Sequence, residues 1–86
     1  MSHGIPDPSG WIQPHYSFDL DGITFRLDYV ASNQNVIVRR NGTHWGDVFQ
    51  TESGWQAELP FSRSKSVPNR SEAGTFSEAV EYITRS

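Results

Sequence analysis

The chain of 86 residues contains no cysteine, which excludes disulfide bonds and thiolate metal sites. Its small core must therefore form without covalent cross-links, and we expect a reducing, cytoplasmic environment, the host cytoplasm if a phage encodes the protein. The first residues lack the apolar run of a signal peptide. No stretch approaches the roughly 20 apolar residues of a membrane span, so we expect no membrane partner.

An excess of basic charge is also missing. Lys and Arg number 7 against 10 Asp and Glu, which gives a net charge of −3 at pH 7. Non-specific nucleic-acid binding depends on phosphate contacts from a basic surface. The composition therefore argues against such a protein, although it leaves a local basic patch open.

The common catalytic motifs are absent as well: the sequence has no Gly-x-Ser-x-Gly, no phosphate-binding glycine loop and no His-Glu-x-x-His. His44 and Asp47 form the only pairing of a histidine with a nearby carboxylate that merits attention. Residues three apart in a regular strand point to opposite faces, so these two can meet only across a β-bulge. We predict no enzymatic activity, no catalytic residues, no metal and no cofactor.

What the sequence does contain is a series of short alternating runs joined by turn residues. Asp21-Gly22, a preferred pair for a type I′ turn, joins the two runs of residues 16–30 into a hairpin. A two-residue turn pairs Leu20 with Ile23, Phe18 with Phe25 and Tyr16 with Leu27. All six side chains then lie on one face, and the other face is polar.

Asn41-Gly42 predicts a second tight hairpin, between residues 36–40 and 43–50. Its register places Val38 opposite Trp45 and Arg39 opposite His44. A fifth strand covers residues 55–59. We predict a three-residue loop, Glu52-Ser53-Gly54, before it, because only that length places the aromatic side chains on one face. That face would hold Trp45, Phe49, Trp55, Ala57 and Leu59.

The two ends of the chain differ in composition. Residues 1–15 are rich in proline and glycine and predict an extended arm, in which Trp11 either docks on the core or serves as an interface aromatic. Residues 61–74 are serine-rich and predict a long loop. A capping box of Thr75 and Glu78 then begins an amphipathic helix. Its buried stripe is Phe76, Ala79, Val80 and Ile83.

These elements predict an α+β fold in residues 16–86: an antiparallel sheet of about five strands with the C-terminal helix packed on one face. Five strands at about 4.8 Å spacing are wider than a helix of about 10–12 Å. The remaining width must be covered by the arm, the 61–74 loop, coiling of the sheet or another chain. A homodimer is one such arrangement.

The open face of the sheet is the candidate binding surface. We predict a mixed basic and apolar patch there, and a second group of basic residues in the 62–72 loop. The alternative is an ordinary solvated sheet face. The patch would combine Arg26, Arg39, Arg40 and His44 with Ile37, Val48, Gln50 and Gln56, and the loop would add Arg63, Lys65 and Arg70.

Two stretches resemble the HicB-like antitoxin domain: residues 52–60, which run from a Gly-aromatic strand to a proline, and residues 74–83, which begin a helix and carry Glu78-Ala79. Members of that family neutralise a small RNA-cleaving toxin, so the resemblance implies a protein-binding inhibitor. The family's Pro-Gly-Cys stretch is missing here, two hairpin strands precede the match, and no DNA-binding segment follows.

We therefore predict a small non-catalytic protein-binding module of the kind that bacteria and phages use as inhibitors or accessory proteins, such as antitoxins or anti-defence factors. The alternative is a nucleic-acid-binding protein that uses the same arginines.

Overall fold

The computed structural model describes residues 5–60 and 68–85. Within them, a short 3₁₀ turn (Pro8–Gly10) precedes an antiparallel sheet of six strands in which each strand pairs with its neighbours in sequence. One helix, α1 (Phe76–Arg85), packs on one face, so the α+β prediction is confirmed with one strand more than expected. The strands are β1 (His15–Leu20), β2 (Ile23–Val30), β3 (Asn35–Arg40), β4 (Thr43–Thr51), β5 (Gly54–Glu58) and β6 (Arg70–Ala73).

Both predicted tight turns are present. Asp21 and Gly22 have φ of 52° and 79°, and Asn41 and Gly42 have φ of 48° and 86°. Positive φ at both central residues is the signature of a type I′ turn, whose twist matches that of the strands. The β1–β2 register contains all three predicted pairs, including Phe18 opposite Phe25.

The predicted register of β3 and β4 is wrong at one point, because β4 contains a bulge. Val38 lies opposite Gly46, and Arg39 lies opposite His44, which leaves Trp45 as the extra residue. A Cβ atom at position 46 would come within 2.7 Å of Ile83 Cγ2. The bulge thus places Gly46, which has no side chain, beneath the helix.

The bulge also reverses the faces of the residues that follow it. Val48 is buried in the core, whereas Phe49 points to the opposite side of the sheet from Trp55. Thr51 pairs with Gly54, so the β4–β5 loop has two residues rather than the predicted three. The prediction failed because it assumed unbroken alternation from Trp45 to Phe49.

Strand β6 lies inside the segment that we predicted as a loop. Its four residues pair with β5, so the loop prediction is wrong for residues 70–73, while residues 61–67 lie outside the described part. The strand has no apolar alternation to reveal it. Two further hydrogen bonds hold it in place: Leu59 N–H donates to Asn69 O at 2.7 Å, and Tyr82 Oη donates to Pro68 O.

The helix agrees with the prediction in detail. Thr75 and Glu78 form the reciprocal capping box, in which Glu78 N–H donates to Thr75 Oγ1 at 3.1 Å and Thr75 N–H donates to Glu78 Oε1 at 3.2 Å. The four residues of the predicted stripe are buried: Phe76, Ala79, Val80 and Ile83. They pack on the side of the sheet formed by β4, β5 and β6.

The N-terminal arm covers part of the remaining width. The Trp11 ring stacks on Tyr16 and meets Phe76 edge-on, with both centroid distances at 5.9 Å. Its Nε1–H donates to Pro6 O at 2.8 Å. Trp11 therefore lies against the core, as the docking interpretation predicts. Leu20, which the arm does not cover, stays 41% exposed, and Ile12 of the arm itself is fully exposed.

Candidate functional site

The face of the sheet opposite α1, which we call the open face, is crossed by rows of side chains that are neighbours in the strand register. One row runs through all six strands, and it contains four ionisable groups besides a terminal histidine. Its members are His15, Asp28, Ile37, Asp47, Glu58 and Arg70. Since residues in register lie about 5 Å apart, acidic and basic groups along this row are within reach of each other.

Asp28 holds two arginines together. Arg26 and Arg39 lie directly opposite each other on β2 and β3, where like charges repel. Asp28 Oδ1 is 2.9 Å from Arg26 Nε, and Asp28 Oδ2 is 3.4 Å from Arg39 Nε. One carboxylate therefore offsets the repulsion, and both guanidinium groups are oriented across the face.

The bulge in β4 creates a second side-chain contact to a carboxylate. By adding one residue, it brings His44 and Asp47 to the same face, with His44 Nε2 at 3.0 Å from Asp47 Oδ2. The condition under which we expected these residues to meet is therefore fulfilled. The His44 side chain is 48% exposed, so water screens the interaction and its energetic contribution is small.

A third pair lies at the β6 side of the face. Glu58 and Arg70 are register partners, and Glu58 Oε2 is 3.0 Å from Arg70 Nε. Together, the three arginines of the described open face, Arg26, Arg39 and Arg70, each have a carboxylate partner. The face is therefore a surface of alternating charge and not a basic patch.

Next to these charged pairs, towards the β2–β3 and β4–β5 loops, lies an apolar group. Val30, Asn35, Phe49 and Gln56 form a second row across β2 to β5, and Ile37 lies beside it. Val30, Ile37 and Phe49 are half-buried, although this face is not covered by the helix. Asn35 is only 8% exposed, and its Oδ1 has no hydrogen-bond partner among the described residues. The open face thus has an apolar group at the loop end of its strands, bordered on one side by paired charges.

The predicted site residues divide between two faces and the undescribed segment. Arg26, Arg39, His44 and Arg70 lie on the open face. Arg40 lies on the helix side, where its guanidinium Cζ stands 4.8 Å above the Trp45 ring. Arg63 and Lys65 lie outside the described residues. Of the expected neighbours, Ile37 and Gln56 share the open face, whereas Val48 is core and Gln50 is on the helix side.

Three contributors to the face were missed. Phe49 was assigned to the core because the bulge was not recognised, and Glu58 was not considered because its partner lies on the unpredicted strand β6. Asn35 lies just before the predicted strand of residues 36–40 and was not considered. Only Phe49 had a signal in the sequence: Gly46, since an isolated glycine inside a strand often marks a bulge.

Within residues 5–60 and 68–85, no group of three or more His, Asp or Glu side chains is placed to hold a metal ion. The helix in the same part of the chain is too short to cross a membrane. Comparison with known proteins gives no matching family model, no matching curated protein and no matching solved structure. The resemblance of residues 52–60 and 74–83 to HicB-like antitoxins therefore stays a prediction.

Proposed function

We propose that the protein is a non-catalytic binding module whose open face receives another protein. The observation that carries this proposal is the arrangement of that face, in which half-buried Ile37 and Phe49 lie next to ion pairs. Protein interfaces combine the same two elements, apolar side chains that are sealed on binding and polar side chains that stay near water.

The ion pairs would act mainly on specificity. Exposed pairs contribute little to stability, but they orient their side chains and present acceptors and donors at fixed positions. A partner with complementary charges is steered to the face, and a partner with the wrong pattern is repelled.

An inhibitor or accessory protein of bacteria or phages is the biological role that we propose, with antitoxin-like and anti-defence proteins as its two forms. Small size and the lack of catalytic motifs support the general role, and the HicB-like resemblance supports the antitoxin form. We place this activity in the cytoplasm, the host cytoplasm for a phage protein, where a chain without cysteine folds under reducing conditions.

Nucleic-acid binding through the same arginines is the alternative proposal. It requires phosphate groups to compete with Asp28 for Arg26 and Arg39, and with Glu58 for Arg70. Phosphate contacts also make affinity fall steeply with salt, whereas an interface with an apolar centre responds weakly.

The test uses Ile37→Lys, which places a charge in the apolar group at low cost to folding because position 37 lies between Asp28 and Asp47. The control, Gln50→Lys, adds the same charge to an exposed position on the helix side. Wild type and both variants are immobilised and exposed to lysate of the natural host, with and without nuclease, and thermal unfolding confirms that each variant is folded.

We expect wild type and Gln50→Lys to retain a protein in stoichiometric amount, and this retention should persist after nuclease treatment and at moderate salt. Ile37→Lys should not retain that protein. Equal retention by Ile37→Lys would contradict the use of the open face. Retention that disappears with nuclease would favour the nucleic-acid alternative.

A further inference from the structure

We propose that the free edge of β1 pairs with β1 of a second copy, so that two sheets join into one across a two-fold axis. This inference concerns an edge of the sheet and not the open face, and it does not rest on the proposed function. Within its own sheet, β1 uses the backbone hydrogen-bonding groups on one side only.

The backbone of β1 has a free side, which the register identifies. Tyr29 N–H donates to Pro14 O at 2.9 Å, so alternation directs the backbone groups of Tyr16, Phe18 and Leu20 towards β2. The groups of His15, Ser17 and Asp19 then point away from the sheet. Among the described residues no strand lies beyond β1 to accept them. Such a row is a template for another strand.

β1 has few of the usual protections of an edge strand. Natural edges carry charged residues, especially lysine, or a proline, a bulge or a cover, or they are very short. β1 runs for six residues without lysine, arginine or proline, its one carboxylate is Asp19, and its pairing with β2 has no register shift. On its helix side, Tyr16 and Phe18 are only partly buried and Leu20 is 41% exposed.

The sequence of β1 is complementary to itself in one antiparallel register. When Ser17 lies opposite Ser17 of the second copy, all three outward residues find partners, and Tyr16 faces Phe18 across the axis. The same register places His15 opposite Asp19 twice, an imidazole with a carboxylate at each end. A shift of the register by two residues in either direction leaves one of the outward residues without a partner in β1. The same shift also removes the Tyr16–Phe18 and His15–Asp19 pairs.

The same arrangement also reduces the exposed apolar surface at the ends of the strand. Two antiparallel copies run the arm of each chain, with its fully exposed Ile12, past the exposed Leu20 of the other chain. An edge of this length buries less than a standard interface of about 1,600 Å². We therefore expect a weak dimer, with a dissociation constant on the order of micromolar.

Sedimentation velocity on the wild-type chain is the first measurement, at concentrations that bracket that value. We expect the mass to rise from 9.7 kDa towards twice that figure as concentration increases. Hydrogen exchange locates the contact between the two copies. The amides of His15, Ser17 and Asp19 should be protected at high protein concentration and should exchange rapidly after dilution. A chain that stays monomeric throughout, with rapid exchange at these amides, overturns the proposal.

Ser17→Glu separates pairing from folding. Within one chain the new carboxylate lies opposite Arg26, so the monomer should remain stable, whereas in the dimer two carboxylates face each other on the axis. Juxtaposed like charges weaken association, and we expect the dissociation constant to rise at least about tenfold. The matched control is Thr43→Glu, exposed and opposite Arg40 but on an inner strand. Equal effects of the two variants would contradict pairing through β1.

Ser17→Cys tests the register. Hydrogen-bonded antiparallel partners have Cα atoms about 5.5 Å apart, which a disulfide can span, and the natural chain has no cysteine to compete. We expect a mild oxidant to convert Ser17→Cys into a covalent dimer much faster than Thr43→Cys. Similar rates for both would exclude a two-fold axis at Ser17, and would leave this edge to a strand from a different protein.

Discussion

The two ends of the sheet are built differently. At one end, β6 is four residues long, carries Arg70 and Glu72 on its open-face side, and lies beside the helix. At the other end, β1 is six residues long, has no lysine or arginine and is only partly covered by the N-terminal arm. One edge of the sheet is thus protected by charge and a helix, whereas the opposite edge has no strand beside it among the described residues.

The two halves of the core differ in the same way. In the helix half, the residues of α1 that face β4 and β5 are fully buried, and Ile83 lies directly above Gly46. In the arm half, the Trp11 ring stacks on Tyr16 and Tyr16 lies tilted against Phe18, but all three rings remain partly exposed. We therefore expect the helix half to carry most of the packing energy and the arm half to tolerate substitution.

The largest effect should come from Ile83→Ala. Ile83 is fully buried, and truncating a buried isoleucine to alanine costs about 2–5 kcal/mol of unfolding free energy. Urea denaturation measures this change, and Ile83→Val, at about 0.5–1.5 kcal/mol, is the graded control. A loss below about 1 kcal/mol for Ile83→Ala would mean that the helix half is loosely packed.

Gly46→Ala should be the next largest and should be coupled to the first. The added Cβ would meet Ile83 Cγ2 at 2.7 Å and Glu58 O at 3.0 Å, and overpacking of this kind costs about 1–3 kcal/mol. In the double variant, Ile83→Ala removes the first of these clashes, so the combined loss should be smaller than the sum. Strict additivity would show that the two positions are not in contact.

Trp11→Ala tests how much the arm half contributes to the unfolding free energy. Burying a tryptophan completely would make its loss worth about 3–5 kcal/mol, but Trp11 is only partly buried, and we expect about 1–2 kcal/mol. Urea denaturation gives the value, and Trp11→Phe, which keeps a ring against Tyr16 and Phe76, should recover part of it. A loss as large as that of Ile83→Ala would remove the distinction between the halves.

Removing the helix cap should cost about as much as releasing the arm, or slightly less. Thr75→Ala deletes the hydroxyl that accepts from Glu78 N–H, a change worth about 1 kcal/mol at a helix N-cap. Thr75→Ser preserves that acceptor and should be nearly neutral. If Thr75→Ala unfolds at the same urea concentration as wild type, the capping box contributes nothing to the helix half.

The accuracy of the sequence-based predictions also differs between regions. Hairpin β1–β2 was predicted residue by residue, because Asp21-Gly22 determines the turn and its alternation has no interruption. From β3 onward the prediction failed at the bulge, since a single extra residue at Trp45 changes every later face assignment. Strand β6 was missed because its residues are held by backbone pairing and not by an apolar pattern.

The candidate site was predictable only in part. Alternation alone places Arg39 and Arg40 on opposite faces, so a basic patch that contained both was inconsistent with the strand that we predicted. The pairing of Arg70 with Glu58 depends on β6 and had no local signal. The apolar group of the open face could be predicted only with the correct position of the bulge. Phe49 belongs to the open face only when Trp45 is counted as an extra residue.

The smallest effect on the monomer should come from Leu20→Thr, and it tests the comparison most directly. Leu20 ends β1 with 41% of its surface exposed, and threonine keeps a high strand propensity, so the unfolding free energy of dilute protein should change by no more than about 0.5 kcal/mol. At concentrations where the chain dimerises, the same substitution should weaken association several-fold, because it removes apolar surface that Ile12 of the second copy would cover. A change that is large in dilute protein and absent in the dimer would show that Leu20 belongs to the monomer core, and the edge at β1 would then be as well protected as the edge at β6.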